Sequence, residues 1–314
     1  MWYIERDFYP PLLWFFFGGG TMQPRESRGI PAHRRTLESI VFSLVIFMLL
    51  AGQADALVIK IESATIEAWN RYYLWANTRV QQQIENSEKF LIQDNLPAAE
   101  KAQVQTALRN GEVVVKRVTS GVVPAGENFK VPDGTILHVW GSVFLPKIKM
   151  PELMLFLQDY DHHAGKFKDV ERSRLVSRDG DNFKIYYRLS RSKAFVTAYY
   201  NSDQDVVYRT LSSKRIYSKS IATKIAELEN PGTPEEKERP VGNDRGFLWR
   251  LVSWWRFQET DSGVIVECES ASLSRGIPEI VNWIPGLGSY IRNTPIESLR
   301  SVITSLQANY LPAK

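Results

Sequence analysis

The chain has 314 residues, a formal net charge of +4 at pH 7 and 44% hydrophobic residues, which is the composition of an ordinary globular protein. Charged residues of both signs make up 24% of the sequence, and their mixing excludes the basic stripe that nucleic-acid-binding domains carry. The single cysteine excludes an internal disulfide and a thiolate metal cluster. Aromatic residues reach 12%, and these side chains must be buried or used in binding.

The segment before residue 57 has the pattern of an export signal. Arg34 and Arg35 precede an apolar run over 40–50, and Ala-Asp-Ala at 54–56 fits a small-x-small cleavage site. The run is shorter than the ~20 apolar residues of a bilayer-spanning helix. We therefore expect a cleaved signal peptide and a periplasmic or extracellular protein. The alternative is an uncleaved signal that anchors the protein in the membrane.

Residues 1–21 fit neither a signal peptide nor a domain. Met22 offers a second start, and the basic residues that follow it make a plausible beginning for a signal peptide. We hypothesise that translation starts at Met22, so that 1–21 is a mis-assigned start and the signal peptide covers about 22–56. The predicted leader is therefore 1–56.

Two helices are predicted next, and they form an extension over 57–109. Residues 61–86 carry apolar side chains at spacings of three and four, which indicates an amphipathic helix. A second helix is predicted from Pro97 to Leu108, because proline suits a first helical position and Gly111 follows the last turn.

From residue 111 the pattern changes to alternation, which is typical of strands. Strands are predicted at 111–118, 134–146, 169–178, 182–191, 194–200, 205–211, 214–228, 246–259 and 264–274. A short helix is predicted near Pro151. The turn-rich segments between the strands indicate an antiparallel meander.

A long helix is predicted to close the chain. Thr294, Pro295 and Glu297 fit a capping box with proline at the first helical position. One apolar face then carries Ile296, Leu299, Ile303, Leu306 and Tyr310, with Val302 beside it. Because helices on one face of an antiparallel meander form an α+β domain, the predicted fold is a curved antiparallel sheet wrapped around this C-terminal helix.

The hairpin "GFLWRLVSWWRFQETDSGVIVECES" (246–270) can be paired about a turn at Asp261 and Ser262. In that register, the two residue numbers of each cross-strand pair add up to the same total. This pairs Phe257 with Val266, Trp255 with Cys268, Ser253 with Ser270, Arg256 with Glu267 and Trp254 with Glu269. The apolar side then consists of Trp249, Leu251, Trp255, Phe257, Val264, Val266 and Cys268. The other side carries Arg250, Trp254, Arg256, Glu267 and Glu269.

This sorting bears on the two glutamates and the cysteine. Glu267 and Glu269 are expected to form surface ion pairs with arginine. The alternative is acid–base catalysis, which would require burial or a like-charge neighbour to shift the pKa of one carboxyl group. Cys268 is predicted to be a small apolar wall residue, since the register places no histidine beside it. A nucleophilic role is the alternative.

Several segments give the chain a resemblance to a known superfamily. They are "HVWGSVFLP", "LQDYDHHAGK", "LVSRDGDNFKIYYRL", the hairpin continued to "ASLSRGIP", and "IPGLGSYIRNTPIESLRSVI". Over 110–314 the chain resembles the START-like (SRPBCC, helix-grip) superfamily, and in particular uncharacterised exported bacterial members. The superfamily includes lipid-transfer domains and bacterial polyketide cyclases.

The resemblance implies a cavity between the sheet and the terminal helix that holds a hydrophobic ligand. Transferred to this chain, the ligand-binding residues are Trp140, Tyr187, Trp249, Leu251, Ser253, Trp255, Phe257, Val266, Cys268, Leu299, Ile303 and Leu306. The alternative is that the same side chains fill the space. The expected partner is a lipid or another hydrophobic small molecule. Neither a nucleic acid nor a cofactor is expected, and transient membrane contact and the oligomeric state stay open.

The densest cluster of ligand-type residues is "DYDHH" at 159–163. Because His162 and His163 are adjacent, they cannot both point the same way on a regular element, and no metal site is predicted. His138 lies on a strand face with Trp140, where it is either a polar group in the pocket or an edge residue.

Two function classes therefore remain. We favour an exported binding protein for a lipid-like or aromatic molecule. The alternative is a cyclase/aromatase-like enzyme acting on a polyketide-type substrate in the same cavity. For that enzyme the available polar residues are Ser253, Ser270, His138 and Tyr187.

Overall fold

The computed structural model describes residues 58–118, 131–193, 196–276 and 293–310, without the side chains of residues 193 and 196. The predicted leader, its second start at Met22 and its cleavage site lie outside the described residues. Among the described residues, no helix has the length and apolar character needed to cross a membrane.

The helices lie at the two ends of the described chain and after the third strand. They are α1 (Ser63–Glu85), α2 (Ala98–Arg109), α3 (Met150–Gln158) and α4 (Thr294–Ala308), with 3-10 turns at Ile92–Asn95 and Tyr160–His162. The strands are β1 (Ile59–Lys60), β2 (Val114–Arg117), β3 (Gly134–Pro146), β4 (Val170–Asp179), β5 (Asn182–Lys193), β6 (Val196–Ser212), β7 (Arg215–Glu229), β8 (Lys237–Glu238), β9 (Asn243–Asp244), β10 (Arg250–Thr260) and β11 (Gly263–Arg275).

One large antiparallel sheet organises the described residues. Its strand order is β2-β3-β11-β10-β7-β6-β5-β4, with β8 paired to β7, while β1 pairs separately with β9. The hairpin register predicted from the sequence is confirmed, since Phe257 pairs with Val266 and Ser253 with Ser270. Together with the C-terminal helix, this sheet confirms the predicted α+β class.

The prediction of two strands at 194–200 and 205–211 is wrong. The structure has the single strand β6, whose register with β7 shifts between Asp203 and Gln204. The polar segment between the predicted strands continues the sheet because β5 and β7 pair with it on both sides. Ser202 and Gln204 are buried there and form a side-chain hydrogen bond of 3.3 Å.

Helix α4 lies against β2 and β3 and is also contacted from the opposite end of the sheet. Ile303 packs so closely on β3 that a Cβ at Gly141 would lie 2.5 Å from its Cδ1 atom. From the β4–β5 end, the Lys168 amide donates to Ser305 Oγ at 3.2 Å, and Arg191 Nη2 lies 3.8 Å from Glu297 Oε2. The sheet therefore grips the helix from both sides.

The start of α4 differs by one residue from the prediction. Asn293 occupies the N-cap position, and Thr294 and Pro295 are the first two helical residues. Thr294 is therefore not the N-cap residue, and the predicted capping box does not form. The predicted apolar face is confirmed, because Leu299, Ile303 and Leu306 are its buried residues.

The large sheet has two covered faces. The inner face is the side on which α3 and α4 pack, with a core that includes Val139, Val143, Phe183, Ile185, Val206, Tyr208, Phe257, Val266 and Cys268. The outer face is covered by α1, whose residues Trp69, Tyr72, Ala76 and Val80 pack on Val252, Trp254, Ala271 and Leu273. The α2 residues Val104 and Leu108 pack on Trp140 of the same face.

A cluster of buried charges joins α1 to the outer face. Glu269 forms an ion pair with Arg79 of α1, and Glu269 Oε2 lies 3.1 Å from Arg256 Nη2. Arg256 Nη2 also donates to Gln83 Oε1 of α1 at 2.9 Å. Arg256 and Glu269 are 0% exposed. Because these charges are shielded from water, each one depends on its partner across the α1–sheet contact.

A second part of the cluster extends to the other glutamate and to a histidine. Glu267, also 0% exposed, accepts hydrogen bonds from the Ile92 amide and from Gln93 Nε2, the latter at 3.0 Å. On the other side, His138 Nε2 lies 2.8 Å from Glu269 Oε1, and His138 Nδ1 lies 2.7 Å from the Tyr72 hydroxyl.

The expectation of surface ion pairs for Glu267 and Glu269 is therefore wrong. The sequence register placed them beside arginine, but α1 and the turn at Ile92–Asn95 cover that face. Burial raises the pKa of Glu267 to about 7, although Arg256 opposes that shift. Burial also raises the pKa of Glu269, but Arg79 and His138 outweigh it and hold this pKa well below its ordinary value.

Replacing Glu269 tests how strongly α1 depends on this cluster. Glu269→Gln removes the buried counter-charge of Arg79 and one of the two buried carboxylates beside Arg256, so we expect the free energy of unfolding to fall by about 3–5 kcal/mol. Urea denaturation measures the change. Asp205→Asn is the control, because Asp205 pairs with Lys184 on the surface, where such a loss costs less than about 1 kcal/mol. Equal losses for the two variants would contradict the dependence.

Candidate functional site

The two faces of β10 differ in their exposure. The outer-face residues of its central part, Val252, Trp254 and Arg256, are buried, whereas the inner-face residues Leu251, Ser253 and Trp255 remain partly exposed. Some inner-face residues on β3, β7 and β11 are also partly exposed, whereas Ser218 and Cys268, the partners of Trp255, are buried. Together the partly exposed residues define the inner groove: Leu137, Ser220, Leu251, Ser253, Trp255, Ser270 and Ser272.

A row of hydroxyl groups crosses the inner groove. The strand register places Ser253 between Ser270 of β11 and Ser220 of β7. Ser253 Oγ donates to Ser270 Oγ at 3.1 Å, and Ser270 Oγ donates to the Val252 carbonyl at 3.3 Å. Ser220 Oγ donates to Gln204 Oε1 at 2.6 Å, which extends the row to β6.

Aromatic and aliphatic side chains flank this hydroxyl row. Trp255 and Phe257 stack with ring centroids 6.2 Å apart and an interplanar angle of 3°. Leu251 lies on the other side of Ser253, beside a buried cluster formed by Ala198, Tyr200, Ala222 and Ile225. The inner groove can therefore hold an apolar body against its flanks while a polar group meets the hydroxyl row.

The structure brings most of the predicted ligand-binding residues to the inner face. The residues on this face are Tyr187, Leu251, Ser253, Trp255, Phe257, Val266, Cys268, Leu299, Ile303 and Leu306. Phe257, Val266, Cys268, Leu299, Ile303 and Leu306 are buried in the core, so they support the groove rather than line it openly.

Trp140 and Trp249 lie elsewhere. Trp140 is on the outer face, packed with Ile92, Val104 and Leu108, because the N-terminal helices cover that side of β3. Trp249 packs in the cluster around α1 and donates from its indole Nε1 to Asp244 Oδ1 at 3.0 Å. The strand begins only at Arg250, so the alternation of β10 does not extend to Trp249.

Tyr187 meets His163, one of the two adjacent histidines of the "DYDHH" segment. His163 is 3% exposed, and its Nδ1 atom lies 2.6 Å from the Tyr187 hydroxyl. Burial lowers the pKa of His163 to about 4 and raises that of Tyr187 well above its ordinary value. The pair is therefore neutral near pH 7. In the sequence, the only sign of this buried pair was the aromatic residues in and around the "DYDHH" segment.

The polar residues available to the enzyme alternative do not meet at one place. Ser253 and Ser270 are in the inner groove, whereas His138 contacts Tyr72 and Glu269 on the outer face. A cleft of about 310 Å³ opens beside Tyr72 on that outer face, lined also by Val131, Gly134, Thr135 and Ile136. His138 and the hydroxyl row thus occupy opposite sides of the sheet.

Two further predictions can be compared with the structure. Cys268 is buried on the inner face, and burial raises its thiol pKa well above the ordinary value, which fits a wall residue better than a nucleophile. In the "DYDHH" segment, exposed His162 contacts Asp159 at 2.6 Å while His163 points into the core. Among the described residues, no group of three or more potential metal ligands is gathered together.

Comparisons with known proteins give matches to solved structures alone. No protein-family model matches the chain, and no curated protein matches it. A STAR-related lipid transfer protein fragment from Xanthomonas axonopodis is 16% identical, with a TM-score of 0.39 over 58% of this chain and 95% of that chain. The human StarD13 lipid transfer and protein localization domain is 11% identical, with a TM-score of 0.38 over 69% and 99%.

An aromatase/cyclase named Zhui, from Streptomyces sp. R1128, is 11% identical, with a TM-score of 0.33 over 57% of this chain and 98% of that chain. At these identities and scores the likeness carries no argument about ligand or activity. The strand order, the antiparallel pairing and the gripped C-terminal helix are those of a helix-grip α+β fold.

The His163–Tyr187 pair predicts a specific pH dependence of stability. Because the folded-state pKa of His163 is about 4 and the unfolded value is ~6.5, the unfolded chain binds an extra proton between these values. The protein should therefore lose up to about 3 kcal/mol through this residue as pH falls from 6.5 to 4. His163→Gln keeps a hydrogen-bonding group but removes the titration.

Urea denaturation at several pH values measures this difference. The curve of the unfolding free energy against pH should fall more steeply for the unmodified protein than for His163→Gln between pH 6.5 and 4. Parallel curves would show that His163 is not held neutral by its surroundings.

Proposed function

We propose that the protein binds a hydrophobic small molecule in the inner groove. The observation that carries the proposal is the asymmetry of β10, whose inner-face side chains Leu251 and Trp255 remain partly exposed while its outer face is sealed. The gripping helix α4 and the buried core beneath the groove support these side chains, as the core does at largely preformed small-molecule sites.

The energetics favour a largely apolar guest. Burial of apolar surface contributes roughly 25 cal/mol per Å², so a ligand that covers ~200 Å² of such surface gains about 5 kcal/mol before its binding costs. Leu137, Leu251 and Trp255 supply that surface, and the serines between them supply orientation. A lipid-like chain and an aromatic ring both meet these requirements.

Catalysis on a polyketide-type substrate is the weaker alternative. Acid–base chemistry needs a titratable group within hydrogen-bond reach of the substrate. The described residues that define the inner groove are leucine, serine and tryptophan, and His138 lies on the other face. These observations favour binding over catalysis.

Fluorescence of a neutral hydrophobic probe, N-phenyl-1-naphthylamine, tests the proposal directly. The full chain should bind the probe, and Ser253→Phe should weaken binding at least tenfold, because a ring at this position occupies the groove. Ser177→Phe on the exposed edge strand β4 is the matched control and should bind as the unmodified protein does. Native mass spectrometry of protein from its own host should also reveal a co-purifying hydrophobe. Absence of probe binding would refute the proposal.

We also propose that the protein is exported, on the strength of the basic, apolar and small-residue pattern over 34–56. The intact mass of the protein isolated from its host should then correspond to a chain beginning at Leu57. A peptide from residues 1–21 would contradict the Met22 start. Retention of the apolar run in a membrane fraction would instead favour the anchored form.

A further inference from the structure

We propose that the inner groove selects hydrophobic molecules that carry a hydrogen-bond donor, such as a hydroxyl group, over equivalent molecules that can only accept. This inference rests on the proposed function and deepens it, because it names the polar group of the ligand. It follows from the direction of the hydrogen bonds in the hydroxyl row.

The hydroxyl donors of the three serines in the row are already used within the protein. Ser253 donates to Ser270, Ser270 donates to the Val252 carbonyl, and Ser220 donates to Gln204. A serine hydroxyl has one donor hydrogen and two acceptor lone pairs. Each of these three partly exposed oxygens therefore retains acceptor capacity after its single hydrogen has been used.

The acceptors are fixed by the sheet rather than by flexible loops. Ser270, Ser253 and Ser220 are direct register neighbours on β11, β10 and β7. Gln204 continues the row on β6, and its Nε2 atom donates onward to Ser202 Oγ at 3.3 Å. If a serine hydroxyl turned to donate to a ligand, its present acceptor would lose a hydrogen bond. A ligand that supplies its own donor avoids that loss.

The absence of charge in the groove strengthens the selection. The seven described residues that define it are all uncharged. An ionised carboxylate is an acceptor only, so beside a row of acceptor oxygens it would lose its hydration and gain only the neutral indole N–H of Trp255 as a donor. An alcohol loses little hydration and gains one or more hydrogen bonds. The expected class is thus a neutral hydrophobe with a hydroxyl or amide N–H group beside its apolar body.

Hydroxyl pairs also stabilise sheets without any ligand, and the experiment must separate that role from recognition. The test is displacement of N-phenyl-1-naphthylamine from the full chain at pH 7 by matched compounds. One series is 1-hexadecanol, hexadecyl methyl ether and hexadecanoate. The other is 2-naphthol, 2-methoxynaphthalene and naphthalene. Each series keeps its apolar skeleton and changes the polar group.

In at least one series, the hydroxyl compound should bind about tenfold more tightly than its methyl ether, as one added hydrogen bond implies. Hexadecanoate should bind more weakly than 1-hexadecanol. The double variant Ser253→Ala with Ser220→Ala should lower the affinity for the hydroxyl compound to that for the methyl ether. Ser253→Thr should keep the preference, because it keeps a hydroxyl, and Ser177→Ala should have no effect.

Equal binding of alcohol and ether in both series would overturn the inference while leaving the proposed function intact. A preference that survives in the double serine variant would overturn it too, because the selection would then come from elsewhere. If the probe binds but no compound displaces it, the inference also fails. Absence of probe binding refutes the proposed function and this inference together. Should the double variant fail to fold, Ser253→Ala alone must still lower the alcohol-to-ether ratio.

Discussion

The side-chain alternation of β10 is the constraint on which the rest of the structure depends. Its period of two sends Trp254 and Arg256 to the outer face and Ser253 and Trp255 to the inner face. A shift of register by one residue would expose the buried charges and fill the groove with a guanidinium group. The long pairings of β10 with β7 and β11 fix this register, so that the core, the charge cluster and the groove are set together.

The two faces that result are closed by different physical means. The outer face is covered by α1 through apolar packing and through buried ion pairs. Separating these ion pairs would leave uncompensated charges away from water, at a large free-energy cost. The inner face is closed only partly, because α4 lies over β2 and β3 and leaves the middle of the sheet less covered. The outer face is thus covered, whereas the inner face stays partly exposed, and the hydroxyl row lies on the inner face.

Much of the fold was predictable because it follows from local patterns. The alternation of the hairpin predicted its register, and the spacing of Leu299, Ile303 and Leu306 predicted the buried face of the terminal helix. The predicted position of Trp249 on the same face as Leu251 was wrong, since alternation was extended past the end of a strand. The burial of Glu267 and Glu269 was missed, because nothing in the hairpin itself indicates that a helix almost 200 residues earlier covers it.

The sequence by itself determined which residues share a face, where the helices and most strands lie, and the polarity of each side of the β10–β11 hairpin, because these properties depend on backbone periods alone. Only the tertiary structure decided which face the N-terminal helices cover, and hence which polar residues are buried. It also placed Ser220 opposite Ser253 and brought the Gln204 side chain to Ser220. The Ser220–Ser253 pairing joins β7 to β10, which the segment with β8 and β9 separates in the sequence, so spacing within a hairpin contains no record of it.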